Sequence, residues 1–250
     1  MYLFGETGLT ALYNFIDRTT LVGFDLDGTL APIVADANLI RVPHAIRKEL
    51  LKLMEKSSVV IITGRSRSNA LEHLGVMPHF LIGNHGAEGL PGREDEEAKV
   101  LNMARSWERQ LSGLPSSVNG EGIVIENKGS TISVHYRASS DRKAARSLIL
   151  SRIGLLFPKP RIISGKCVED LIPATAPNKG EAFLYLMKRF GHAKGFYIGD
   201  DKTDEDVFRL TGEQLFTVRI GNARRSQAGY TLRSQQEVLH MLRLIVDALV

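Results

Sequence analysis

Apolar residues gather along this chain in short unbroken runs, each stopping at a polar or glycine-rich cluster. Leu21 to Phe24 ends at Asp25, Val59 to Ile62 ends at Thr63-Gly64-Arg65, and Gly195 to Ile198 ends at Gly199-Asp200-Asp201. Short apolar runs bounded by turn formers predict strands buried on both faces, as in a parallel sheet covered by helices. Between the first two runs Ile46, Leu50, Leu53 and Met54 recur at helical spacing, and Phe183, Leu186, Met187 and Phe190 do the same ahead of Gly195. Phe80 to Ile82 and Leu215 to Ile220 extend the series. Strand and helix alternate, which predicts an α/β fold around a parallel sheet.

The middle of the chain has a different rhythm. Gly89-Leu90-Pro91-Gly92 and Pro173-Ala174-Thr175-Ala176-Pro177 are rich in turn formers and have the character of hinges. Between them a helical stripe (Val100, Met103, Ala104, Trp107, Leu111) precedes an extended run from Ile123 to Asn127, a Lys128-Gly129 turn, and alternation from Thr131 to Arg137. A second helix from Ala144 to Leu156 and two strands, around Arg161 to Ser164 and Lys166 to Leu171, complete it. The order helix, hairpin, helix, hairpin predicts a smaller α+β domain over residues 91–173, inserted into a larger domain made of 1–90 and 174–250.

Composition narrows the function classes. At 250 residues and 43% hydrophobic content the chain can bury a sizeable core, in one large domain or two smaller ones. Basic residues exceed acidic ones by 32 − 28 = 4, but they are scattered among acids, as in RKELLKLMEK and REDEEAK, so no nucleic-acid partner is expected. A mild positive excess suits a small anionic substrate. No apolar run reaches the length a bilayer demands, and MYLFGETGLTALYNF lacks the basic flank and continuous apolar stretch of a secretory leader, so a soluble cytoplasmic protein is expected, a monomer or weak oligomer. The single cysteine, Cys167, allows no internal disulfide and no thiolate metal cluster. Neither Gly-x-x-x-x-Gly-Lys-Ser/Thr nor Gly-x-Gly-x-x-Gly occurs, so no nucleotide site is indicated.

The strand ends carry the chemistry. In Phe24-Asp25-Leu26-Asp27-Gly28-Thr29-Leu30 two carboxylates stand two residues apart, where like charges raise each other's pKa unless a cation or proton is shared. Such aspartates also cap helices and close turns, so the pair alone decides nothing. In an open α/β sheet, however, the carboxyl ends of the strands converge. That brings Asp25, Thr63-Gly64-Arg65 and Gly199-Asp200-Asp201-Lys202-Thr203-Asp204-Glu205 together. Mg²⁺ takes oxygen ligands, and Asp25, a backbone carbonyl near Asp27 and Asp200 can supply them. Asp25 is then the candidate nucleophile and Asp27 the candidate acid and base. Thr63 and the Gly64 amide are candidate holders of phosphoryl oxygens, and Lys179, at a helix start in Asn178-Lys179-Gly180, is a fixed positive charge. The acidic run does not suit a calcium loop of the helix-loop-helix type, because Glu205 stands where the tight turn needs glycine. Asp204 is also a candidate helix N-cap.

DLDGT, the strand-ending TGR, the lysine of NKG and the GDDKTDE run, in this order, resemble the haloacid dehalogenase superfamily of aspartate-nucleophile phosphatases. Together with Gly83-Asn84-His85-Gly86, ENKGSTISVHYR, GKCVEDLIPATAPNKG and Ala228-Gly229-Tyr230-Thr231-Leu232, they look like the trehalose-6-phosphate phosphatase family, from Leu21 to about Leu239. The resemblance implies a Rossmann-like core with an inserted α+β cap domain for substrate recognition, Mg²⁺ dependence, and release of trehalose and phosphate through an aspartyl phosphate. It assigns Asp25 as nucleophile, Asp27 as acid and base, Thr63 and Lys179 as phosphate binders, and Asp200 and Asp204, beside Asp25 and Asp27, as metal-side acids. Gly64, Arg65, Asn84, His85 and Gly86 fall beside the site, and Glu126, Lys128 and Glu169 are assigned to the sugar. Glu126 and Lys128 also share a face of an extended strand, which supports their pairing independently. A phosphatase for another sugar phosphate, such as sucrose 6-phosphate, or a catalytically silent sugar-phosphate sensor, are the alternatives.

Overall fold

The computed structural model of the protein describes residues 1–34, 39–112, 122–210, 212–222 and 225–249. The chain begins with α1 (Glu6–Phe15), β1 (Thr20–Phe24), α2 (His44–Met54), β2 (Val59–Ile62), α3 (Arg67–Leu74) and β3 (Phe80–Ile82). It continues through α4 (Glu94–Ser112), β4 (Val124–Asn127), β5 (Ile132–His135), α5 (Arg142–Ile153), β6 (Pro160–Gly165) and β7 (Val168–Pro173). It ends with α6 (Lys179–Phe190), β8 (Lys194–Gly199), α7 (Glu205–Phe208), β9 (Leu215–Ile220), β10 (Tyr230–Leu232) and α8 (Val238–Ala248). Two compact units result, one from residues 1–86 and 177–250, the other from residues 87–176.

The first unit is built on a six-stranded sheet of order β10-β9-β8-β1-β2-β3, parallel throughout. Every residue of β1 and β2 is buried, which is why both are apolar without alternation. Val22, Phe24, Val59, Ile61, Phe196 and Ile198 enter a core completed by Ile46, Leu50 and Leu53 of α2 and by Met241, Leu242 and Ile245 of α8. Local chemistry sets the helix starts. Asn178 caps α6 by accepting from the Glu181 amide at 2.9 Å, while the Glu181 carboxylate accepts from the Asn178 amide at 2.9 Å. This reciprocal pair satisfies two donors that a helix start otherwise leaves unmet.

The second unit carries a four-stranded antiparallel sheet of order β4-β5-β7-β6. Ile132, Val134 and Leu171 lie on the face that packs against Ala104, Trp107 and Leu111 of α4 and Ala145, Ile149 and Ile153 of α5. Trp107 is fully buried and its indole N–H donates to the Pro158 carbonyl at 2.7 Å. The unit begins and ends a few residues outside the span that the turn formers suggest, because Ala87 and Ala176 join Val100 and Ile172 in a small apolar cluster. Among the described residues no helix is long and apolar enough to cross a membrane.

Candidate active site

Because its strands all run the same way, the carboxyl ends of the first unit's sheet share one edge. From β1 the chain proceeds to β2 and β3 on one side, and later adds β8, β9 and β10 on the other, so β1 and β8 flank a switch in direction. Such a switch opens a crevice at the strand ends, the usual ligand site of this architecture. Asp25 follows β1 and Asp200 follows β8 on its two sides.

Asp25 is anchored by its amide, which donates to the Ile198 carbonyl at 2.9 Å. Its buried carboxylate accepts from Lys179 Nζ at 2.7 Å, and the same ammonium donates to Asp204 Oδ1 at 2.8 Å. Tyr197, buried on β8, donates its hydroxyl to that Asp204 oxygen at 2.9 Å, and the Asp201 amide donates to Asp204 Oδ2 at 2.9 Å. Both Asp204 oxygens are thus occupied by donors of the protein. Gly199 permits this close approach, since a Cβ there would collide with the Asp204 carboxylate. Gly28 does the same for Asp200, at a φ of +83° that L side chains rarely adopt.

The charges do not balance. Carboxylate oxygens of Asp25, Asp200 and Asp204 come within 4.8 Å of one another, with Lys179 as the ammonium between two of them. Burial would pull the Lys179 pKa down, but Asp204 and Asp25 outweigh it, and the ammonium is held charged. Burial pushes Asp25 well above the usual carboxylate range; Lys179 opposes this, while Asp204 and Asp200 add to it. Asp200 is pushed up to about 7, first by burial and then by Asp204 and Asp201. Its Oδ1 is buried with no hydrogen-bond partner among the described residues. An uncompensated negative cluster with an open carboxylate oxygen fits a hard divalent cation, which lowers the cost of holding several carboxylates together.

Asp27 lies apart from this cluster in its contacts. Its carboxylate, 39% exposed where that of Asp25 is 6%, accepts from Arg65 Nε at 2.8 Å and Nη2 at 2.6 Å. Arg65 Nη1 in turn donates to Asn69 Oδ1 at 2.7 Å. Thr63 is fully buried at the end of β2, and its hydroxyl accepts from the Arg65 amide at 3.2 Å. The Asn84 and His85 amides donate to the Arg65 and Thr63 carbonyls at 2.7 and 2.9 Å, and the His85 ring packs against Gly64. Gly86 lies against the backbone of Pro177 and Asn178, so the turn after β3 joins the Thr63-Gly64-Arg65 turn to the start of α6, where Lys179 stands.

In the second unit Glu126 and Lys128 do share a face, but Glu169 is not with them. Strand register pairs Glu126 with Ser133 and Ser133 with Asp170, which places Asp170 on their face. Lys128 Nζ donates to Asp170 Oδ1 at 3.4 Å, Ser133 bonds the same carboxylate, and Glu126 pairs with His135 at 2.8 Å. The His135 bond holds the Glu126 carboxyl below its ordinary range. Glu169 pairs with Val134 on the opposite, helix-packed face, where it is fully buried and held by Arg146, Tyr136 and Ser164. Side chains alternate along a strand, so one position of register exchanges the two faces. Tyr197, Asp170 and Arg219 are the residues that sequence reading missed. Arg219 had a signal, a charge inside the apolar run LFTVRI; it donates to the backbone carbonyls of Asp200 and Asp201 at 2.7 and 3.1 Å and to Glu205 at 3.1 Å.

The trehalose-phosphatase family model matches residues 23–236. Trehalose-phosphate phosphatase B of Arabidopsis thaliana is 26% identical over 244 residues, covering 89% of this chain and 65% of that protein, so the chain spans just under two thirds of that relative. A probable trehalose-phosphate phosphatase of Sinorhizobium fredii is 31% identical over 229 residues, covering 87% of this chain and 83% of that one. The crystal structure of a trehalose-6-phosphate phosphatase related protein is similar with a TM-score of 0.70 at 21% identity, over 91% of this chain and 97% of that chain, a likeness of fold.

Proposed function

Since the chain belongs to the trehalose-phosphatase family, within the haloacid dehalogenase superfamily, we propose that it hydrolyses a sugar phosphate, trehalose 6-phosphate, to trehalose and inorganic phosphate. The observation that carries the reading is the buried Asp25, bonded to Lys179 and with carboxylate oxygens of Asp200 and Asp204 within 4.8 Å. A carboxylate oxygen of Asp25 attacks phosphorus, the bond from phosphorus to the sugar oxygen breaks, and an aspartyl phosphate forms. Asp27 protonates the departing sugar oxygen and then takes a proton from the water that cleaves the phosphoenzyme, restoring Asp25. The greater exposure of Asp27 suits a group that exchanges protons with substrate and water. The Thr63 hydroxyl, the Gly64 amide and Lys179 orient the phosphoryl oxygens, with Arg65 holding Asp27 and the Asn84-His85-Gly86 turn supporting Thr63.

The carboxylates of Asp25 and Asp200 with the Asp27 carbonyl would hold Mg²⁺, Asp204 standing behind them. When bound, the cation supplies positive charge that offsets repulsion between an anionic nucleophile and an anionic ester. For the sugar, the reading assigns Glu126, Lys128 and Asp170 of the second unit, in place of Glu169, because an acid, an ammonium and a second acid on one sheet face can accept from and donate to hydroxyls.

The test is phosphate release at neutral pH, with Mg²⁺ or with chelator, from trehalose 6-phosphate, sucrose 6-phosphate, glucose 6-phosphate and an aryl phosphate. Mg²⁺-dependent release largely confined to trehalose 6-phosphate, and abolished in folded Asp25→Asn, is the expected result. Equal release from all four would discard the specificity, and turnover by Asp25→Asn would discard the mechanism. No release from folded wild type would leave a silent sensor.

A further inference from the structure

The Asp200 carboxylate packs against the Gly28 backbone, and one of its oxygens, Oδ1, has no hydrogen-bond partner among the described residues. The residue belongs to the cluster read above as the cation site. The backbone that carries the carboxylate is gripped from two sides. The Asp201 amide is fixed by Asp204, and the carbonyls of Asp200 and Asp201 are fixed by the two terminal nitrogens of Arg219. Arg219 stands on β9 in register with Gly199, the residue before Asp200, and its side chain is 14% exposed. Its own orientation is secured by Glu205, whose other oxygen accepts from the Gln227 amide at 3.0 Å.

We infer that Arg219 is a positioning residue for the cation site: its guanidinium fork pins the Asp200–Asp201 peptides and thereby presents the Asp200 carboxylate, beside Asp25, ready for the divalent ion. A guanidinium offers several donors in a rigid plane and can hold two carbonyls and a carboxylate at once, whereas a lysine ammonium is a point charge on a flexible stem. Charge alone would work the other way, since a fixed positive group beside a cation site repels the ion. The arginine serves the site through geometry, against its own electrostatics.

The inference rests on the cation reading of the proposed function, and the experiment separates the two. Mg²⁺ affinity is measured by titration calorimetry on metal-free wild type, Arg219→Lys, Arg219→Met and Asp200→Asn, each checked for folding by its melting transition, with phosphate release then followed across Mg²⁺ concentrations. Groups that orient metal ligands from behind are worth about 10–100-fold in affinity. Both Arg219 variants are expected to bind Mg²⁺ more weakly by at least about tenfold, with turnover largely recovered at saturating Mg²⁺. Arg219→Lys keeps the charge, so its loss isolates the fork, and it stands alone if Arg219→Met does not fold. Wild-type affinity in Arg219→Lys, or tighter binding in Arg219→Met, with Asp200→Asn impaired, would overturn the positioning role and leave the cation site in place. Wild type without Mg²⁺ affinity, or Asp200→Asn binding like wild type, would overturn both.

Discussion

A carboxyl whose pKa is raised by folding weakens the fold that raises it. Asp200 ionises near the ordinary carboxylate value in the unfolded chain and at about 7 in the folded one, because of burial and its acidic neighbours. Between those values the native state holds the extra proton, so this contribution to stability falls as pH rises through the window and is fully lost above it. In chelator at pH 8, Asp200→Asn is therefore expected to melt above wild type by a few degrees, on the order of 1 kcal/mol or more, with the difference closing near pH 4. A melting-temperature series across pH checks this, and a constant offset would assign the gain to something other than ionisation. At this scale the sequence was informative where a charge stands at the end of an apolar run, as with Asp25 and Asp200. It was silent on Tyr197, because a tyrosine inside a strand reads as core whether or not its hydroxyl reaches a carboxylate.

Helix α6 delivers Lys179 to the acids, and it does so from its first residue. The cap is thus part of the site's geometry. Asn178→Ala removes the acceptor for the Glu181 amide and should cost about 1 kcal/mol, or roughly 2–4 °C in melting temperature. A several-fold drop in kcat below the melting range is expected with it, as the first turn loosens around the ammonium. A stability loss with unchanged kcat would detach the cap from the chemistry. The elements of the first sheet were legible where apolar runs were unbroken, and α8 shows the limit. Its stripe Val238, Met241, Leu242, Ile245 and Val246 has helical spacing, yet it follows the last motif and no chemistry draws the eye to it. The face on which Glu169 lies was hidden for another reason. A sequence shows that residues alternate along β7, but only pairing with β5 fixes which set faces the helices.

For the molecule as a whole, the reading assigns bond breaking to residues 1–86 and 177–250 and sugar discrimination to residues 87–176. Glu126→Ala should then lower kcat/KM for trehalose 6-phosphate by about 10–100-fold, the worth of a hydrogen bond to a charged group, and leave a small aryl phosphate nearly untouched. Equal losses on both substrates would place Glu126 elsewhere in the economy of the enzyme. Proline and glycine clusters flank the second unit in the sequence, while its limits at residues 87 and 176 follow from side-chain packing that composition does not reveal.

The first unit is written in two instalments. Asp25, Asp27 and Thr63 leave the ribosome before residues 87–176, while Lys179, Asp200 and Arg219 come after them. During that interval β1, apolar on both faces, has β2 as a partner but lacks β8 on its other edge. A bare, buried-type strand edge is adhesive, so the nascent half-sheet is a natural client for chaperones and a poor product to release early. A transcript broken between residues 87 and 177 yields a chain with Asp25 but with neither Lys179 nor Asp200. The acidic cluster and its lysine are complete only once the second instalment has followed.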